Sequence, residues 1–282
     1  MTALPDIRVR RISFDFPSLD AGPRRRHFVE GDLVMSHIVA MLSAVFPEGE
    51  DFFIRSVRHY KDEITDPKLK RDVAGFIGQE VTHGREHRDL NDQLQAMGYP
   101  THAVDRFVKW LLSQQWLGGP KFDLAVTAAL EHYTATLAET LLTKPECRAI
   151  LGDNEVRSVL LWHALEESEH KAVAFDVFRA VGGTERERVW TMRLTSLNFL
   201  ALMTVFTTIS LARDRASYNP VRLVRSLARI PRSPFVAADV RRIVRGYNRP
   251  GFHPSDNDAT ALLTYWRDEL FGESGTLTDH LR

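Results

Sequence analysis

Two stretches of this sequence carry acidic and imidazole side chains at spacings that suit metal chemistry. In WHALEESEHKAVAFDVF, Trp162 to Phe178, the apolar Leu165, Ala172 and Val173 fall among polar positions at helical spacing. No Gly or Pro intervenes before Gly182, so the pattern predicts a single helix. His163, Glu167 and His170 stand on it at i, i+4 and i+7, which brings all three to one face. A carboxylate and two imidazoles on one face make a metal half-site, because a bundle helix can aim them inward with little backbone adjustment. The stretch Asp72 to Gly98, DVAGFIGQEVTHGREHRDLNDQLQAMG, supplies the same types again as Glu80, His83 and His87. Each stretch contains Glu-x-x-His, the element that two helices of a di-iron or di-manganese carboxylate bundle contribute. One such pair alone is more simply a solvated helix face. Two of them call for one carboxylate from each of two further helices.

Connectivity selects those carboxylates. In an antiparallel helical hairpin, residues equally far from the turn lie at the same height. A turn at Thr65, Asp66 and Pro67 places Glu50 and Glu80 each about 15 residues away. A second turn at Ile150 to Asp153, around Gly152, places Glu131 and Glu167 each roughly 18 residues away. Glu139 is only about 11 away and would miss that level by around 10 Å. Glu48 is a rival to Glu50 with a slightly worse offset. The ligand set is therefore Glu50, Glu80, His83, Glu131, Glu167 and His170, with His163 and His87 as extra imidazoles. Carboxylates and imidazoles without thiolate suit Fe, Mn or Zn, and the paired arrangement favours two iron ions. No catalytic residue is indicated beyond the metal ligands.

The remaining composition sets bounds. The chain has 282 residues, 44% of them hydrophobic, enough for one large domain or one domain with an appendage. Formal net charge is zero, which argues against a nucleic-acid partner. The single Cys147 permits no intrachain disulfide and no thiolate metal cluster, as fits a reducing, cytoplasmic compartment. Arg8, Arg10, Arg11 and Arg24 to Arg26 are not followed by an apolar run of signal-peptide type.

In chain order, residues 1–29 read as an N-terminal arm, where Ile7, Val9, Ile12, Phe14 and Phe16 alternate as an edge strand or an extended segment would. Residues 30–182 read as the metal-binding bundle. Helical pattern begins near Asp32, and Pro47 with Gly49 is expected to break it, placing Glu50 in the first turns of a new piece running to Ile64. His59 lies about 13 Å along the axis from Glu50 and reads as structural or as a support to the ligands, not as a ligand itself. A second helix spans about Pro67 to Met97, a connecting helix Ala103 to Trp116, and a third about Phe122 to Leu142. Ala125, Ala128, Ala129, Ala135 and Ala138 allow the third a close approach to its neighbours. His132 points about 100° away from Glu131 and is a weaker ligand candidate.

The blocks FPEGEDFFIRSVRHY, FIGQEVTHGREHRDLN, ALEHYTATLAE, WHALEESEHK and RPGFHP resemble a bacterial family described as predicted metal-dependent hydrolases, over roughly residues 30 to 270. The resemblance implies an all-α, ferritin-like four-helix bundle with a di-metal core and additional C-terminal helices. It supports a metal more strongly than it supports hydrolysis. His163, Glu167 and His170 are also locally similar to the His-x-x-x-Glu-x-x-His block of arylamine N-oxygenases, di-iron enzymes with an additional histidine ligand; His87 has no assignable counterpart there.

Residues 183–282 read as a helical extension packed on the bundle. Leu194 to Ala212 carries no charge and is long enough to span a bilayer, though Thr, Ser and Asn make it only moderately apolar. Residues 213 to 249 then hold ten arginines against Asp214 and Asp239, a net charge of +8. The simplest expectation is a fifth bundle helix, buried on most sides, followed by a solvated basic segment. A single span is disfavoured, because bundle and basic segment both call for the cytoplasmic side. The arginines are free to touch an inner membrane surface peripherally, or a partner. The leading functional expectation is an oxygen-activating di-iron oxidoreductase acting on a small apolar substrate with an electron donor. A metal-dependent hydrolase is the alternative, and non-catalytic metal binding a third.

Overall fold

The computed structural model describes residues 7–16, 26–114, 118–152 and 155–282; Arg24, Arg25, Trp116 and Asp153, named above, lie outside these. Helix α1 spans Leu33–His59, and the Asp32 carboxylate caps it by accepting from the Met35 amide at 3.0 Å. The expected break at Pro47 does not occur. A proline inside a helix removes the amide that would bond the carbonyl four residues back, here that of Ser43. Asn91 supplies the missing donor, its Nδ2 reaching the Ser43 carbonyl at 3.0 Å, and the helix continues unbroken past Glu50. Asn91→Leu should therefore cost about 1–3 kcal/mol in urea denaturation, since it leaves a buried carbonyl unpaired. Pro47→Ala in the Asn91→Leu background returns a local donor and should recover part of that loss. Equal stability of the single and double variants would contradict this account.

Helix α2 spans Pro67–Ala96, with Asp66 as its N-cap and a left-handed Gly98 (φ +98°) just past its end. Helices α3 (Thr101–Ser113), α4 (Pro120–Thr143) and α5 (Pro145–Leu151) follow. The helix expected from Trp162 to Phe178 is two helices, α6 (Glu155–His170) and α7 (Val173–Ala180). The chain turns at Lys171, whose buried ammonium leaves the helical line to reach Glu139 Oε1 at 2.6 Å and the Asn257 carbonyl at 2.8 Å. Apolar periodicity could not reveal this, because α7 resumes the same apolar pattern with Val173, Phe175 and Val177.

The principal hairpins are α1 on α2 and α4 on α6, with α1 also against α4 and α2 against α6. Among the described residues there is no strand, and the fold is all-α. The core forms two apolar layers. One takes Ala44, Leu90, Ala138, Leu161 and Trp162, the other Phe53, Phe76, Ala128 and Phe175. Along every bundle helix the polar residues at issue fall between the two layers. Each large side chain buried in these layers contributes about 1.5–3 kcal/mol, and that is what keeps charged groups at mid-height away from water.

Residues 7–16 form an extended arm across α2 instead of an edge strand. Gly75 and Gly78 make room for it, since a Cβ on either would lie within 2.7 Å of Ile7 or 2.5 Å of Val9. Ile12 and Phe14 are buried, and the arm is pinned by residues 280 to 282. The Ser13 amide donates to the His280 carbonyl at 3.0 Å, and the Arg282 amide to the Arg11 carbonyl at 2.8 Å.

After the bundle come α8 (Glu185–Ala212), α9 (Pro220–Leu227), α10 (Ala238–Gly246) and α11 (Thr260–Phe271). They lie respectively on α1 and α4, on α1, on α4 and on α6. The expectation that α8 is buried on most sides fails. It is long and apolar enough to cross a membrane, yet only 22% of its most apolar stretch is buried. Its packed face buries Met192 and Phe206 but is otherwise largely polar, with Thr195, Thr207 and Ser210, and most of its larger apolar residues are left outward.

Candidate metal centre

Between the two apolar layers, four helices converge their carboxylates and imidazoles. Glu50 comes from α1, Glu80 and His83 from α2, Glu131 from α4, and His163, Glu167 and His170 from α6. They form three overlapping groups, Glu50–His83–His163, Glu80–His83–Glu167 and Glu80–Glu131–His170, each with ligand atoms within 4.8 Å of one another. All seven residues are buried. Glu80, His83 and Glu167 link the two ends of the constellation.

The polar atoms of this cluster lack partners. Both carboxylate oxygens of Glu50, Glu80 and Glu131, Oε2 of Glu167, Nδ1 of His83 and Nε2 of His170 are buried without a hydrogen bond. Native proteins rarely leave one such atom unsatisfied, and nine unpaired donor-type atoms converging on one spot fit a bound cation. Without a metal the cluster holds protons instead. Burial, then the charges of Glu80 and Glu167, push the Glu50 carboxyl well above the usual range. Burial and the Glu167 charge raise Glu131 to about 8. Burial works against the charged imidazole of His83, but its hydrogen bond to Glu166 and the nearby carboxylates of Glu167 and Glu80 prevail and lift it to about 10. Glu167 moves the other way; burial would raise it, yet the charge of His170 holds it well below the usual carboxylate range.

A surrounding layer fixes which nitrogen each histidine turns inward. His83 Nε2 donates to Glu166 Oε2 at 3.0 Å, which leaves Nδ1 facing the cluster. His170 Nδ1 donates to Gln79 Oε1 at 2.8 Å, which leaves Nε2 facing Glu80 and Glu131 at 3.1 and 3.3 Å. The third imidazole is set by a relay. The Ser43 hydroxyl donates to Asn91 Oδ1 at 2.8 Å, so its oxygen accepts from His87 Nδ1 at 3.0 Å. His87 Nε2 then accepts from His163 Nδ1 at 2.7 Å, leaving His163 Nε2 a lone pair, 2.9 Å from Glu167 Oε1. The relay needs both imidazoles neutral, and burial with neighbouring histidines lowers both.

Behind the histidine partners stand cations. Arg10, from the arm, donates to Glu166 Oε1 at 2.9 Å and to both oxygens of Glu169 at 2.9 and 2.7 Å. Glu169 also accepts from Gln79 Nε2 at 2.8 Å and from Arg267 of α11 at 2.7 Å. Gly84 lets α2 approach α1 at this level, where an added Cβ would sit 3.2 Å from Glu50 Oε2.

The structure thus brings together seven of the eight ligands expected from sequence. His87 stands one hydrogen bond outside, because both its nitrogens are engaged by Ser43 and His163. Glu48 points away toward Lys109 at 3.4 Å, and Glu139 pairs with Lys171. His132 donates to the Ile243 carbonyl at 3.0 Å and is lowered by burial to about 4, while His59 is exposed against Tyr60. Sequence reasoning missed Glu166, Glu169 and Gln79, whose signal was adjacency to the ligands. It also missed Arg10, Ser43 and Asn91, which no spacing connects to them.

Comparison with curated proteins and with solved structures finds no match. Residues 8–258, from the arm that carries Arg10 through all four helices that supply the candidate ligands, match one family over most of the chain, and the protein belongs to that family, described as predicted metal-dependent hydrolase.

Proposed function

We propose that the protein is a di-metal carboxylate enzyme, with iron as the working metal, that oxidises a small apolar molecule. Glu50, His83 and His163 would hold one ion and Glu131 and His170 the other, with Glu80 and Glu167 between them. His87 would orient His163 without binding metal. One observation carries the choice of substrate and reaction. A cavity of about 300 Å³ runs between α1, α4, α6, α8 and residues 230–236, its walls almost wholly carbon, and its inner end is His163 with Glu167. Walls such as Leu42, Phe46, Leu137 and Met203 favour an apolar ligand and exclude water from the centre. Iron bound there would supply oxygen activation, and four carboxylates would neutralise the charge of two divalent ions. The protein's part is to orient the imidazoles, keep the cavity dry and aim the apolar ligand at the Glu167 edge.

Hydrolysis is the second reading, favoured by the family's description. A zinc or manganese pair would then activate water toward an apolar ester. The two readings part on metal exchange. Anaerobic loading of the metal-free chain with ferrous iron, followed by oxygen, should consume oxygen and change the absorption and Mössbauer spectra, and the zinc form should be inert. An inert ferrous form, with a zinc form that cleaves esters, would establish the hydrolase instead.

A further inference from the structure

α8 shows solvent what a bundle helix ordinarily hides. Trp190, Leu197, Leu200, Val205 and Ile209 are each at least 50% exposed and spread along one side of it. The surface continues past its end, where the Tyr218 hydroxyl donates to the Ala212 carbonyl at 2.8 Å. That contact leads directly into α9, whose Val221 and Val224 are 65% and 64% exposed. On another flank, Phe107 of α3 packs edge-on against Phe206 at 5.7 Å, with the exposed Trp110 beside it. Apolar exposure on this scale marks an interaction surface.

Its charge says what covers it. Of the ten arginines between 213 and 249, Arg229 pairs with Asp32 and Arg249 with Asp256. The other eight have no acidic partner among the described residues. On α9 the exposed valines alternate with Arg222 and Arg225. A second copy of this chain docked through the same face would set like-charged arginines against each other. An anionic lipid surface meets both features, since apolar side chains enter the headgroup region while arginines take the phosphates. The orientation is in the plane of the surface and not across it. α8 is tied along the bundle through Tyr133 to Ser196 at 2.8 Å and His37 to Ser210 at 2.6 Å.

We infer that the outer face of α8 and α9 docks on an anionic lipid bilayer. Leu200 belongs both to this face and to the wall of the apolar cavity, so the cavity meets the bilayer where acyl chains are within reach. Resting on the function proposed above, the substrate class is then a lipid-borne apolar chain.

The test is flotation of the full-length, metal-loaded chain with vesicles of equimolar phosphatidylglycerol and phosphatidylcholine, against vesicles of phosphatidylcholine alone. The chain should float with the first and remain below with the second. Leu197→Asp with Val224→Asp, and separately Arg225→Glu with Arg232→Glu, should each weaken binding about tenfold or more with unchanged thermal melting. These positions are exposed, so the variants should fold. Absence of flotation with the anionic vesicles would overturn the inference. So would indifference to the arginine changes, or a dimer in sedimentation velocity that Leu197→Asp dissociates. Flotation reads no turnover, so its failure would leave the metal chemistry standing, and failure of the metal exchange would leave the docking surface standing.

Discussion

Purified chain binds two metal ions, and Glu80→Ala or Glu167→Ala binds one or none. This is the expected result of elemental analysis, and its basis is the overlap of the candidate groups. Glu80 belongs both to the group with His83 and Glu167 and to the group with Glu131 and His170, so its removal takes a donor from each end. Glu167 lies within 3.5 Å of both His83 Nδ1 and His170 Nε2 and is equally shared. Metal loading should also acidify a weakly buffered solution, because ions displace protons held by Glu50, Glu131, His83 and His170. All four are groups raised by the fold. In the metal-free chain the stability they contribute is therefore present at lower pH and lost as pH climbs through about 8 to 10, and metal should reduce that loss. Glu48→Ala is the control, since Glu48 reaches only the exposed Lys109, and it should retain both ions. Unchanged stoichiometry in both ligand variants would remove the centre from consideration.

Arg10→Ala should be the most damaging substitution outside the ligands. The guanidinium, with its side chain 9% exposed, answers the two fully buried carboxylates of Glu166 and Glu169. Burial opposes its charge, yet the hydrogen bond and charge of Glu169, then those of Glu166, raise its pKa further. Removing the guanidinium leaves Glu166 to His83 alone and Glu169 to Arg267 and Gln79, so two buried carboxylates lose a shared cation, which should cost about 3–5 kcal/mol. Because Glu166 orients His83, metal affinity should also fall about 10–100-fold. Arg10→Lys should restore only part of either quantity, since one ammonium cannot span both carboxylates as the planar fork does. Urea denaturation and calorimetric metal titration measure the two effects. A stability change under about 1 kcal/mol would class Arg10 with ordinary surface pairs.

The ligand level was legible in the sequence because it depends on arithmetic that helices obey. Equal distance from a turn places Glu50 with Glu80 and Glu131 with Glu167, and the rise per residue excludes Glu139. His87 shares a face with Glu80 and His83, so spacing alone could not show that a serine and another imidazole would occupy it. The breaks went astray for a related reason. Pro47 is a local signal overridden by Asn91, 44 residues later, and the real interruption after His170 follows from Lys171 reaching distant groups. Local rules cannot contain partners that only the fold brings near. α8 failed differently: its composition suits burial, but the bundle offers it only one wall.

The arm has a consequence for the order of assembly. Glu169 is answered by Arg10 and by Arg267, and the segment that holds Arg10 is clasped by residues 280 to 282. The four helices that carry the candidate ligands are all complete by residue 170, about a hundred residues before Arg267 is followed by that clasp. A chain emerging in order therefore forms its nest of acids and imidazoles while the counter-charge at its back is still unfixed. Ions can enter an open, acid-rich cradle during this interval, and residues 280 to 282, made well after it, are the ones that fasten it.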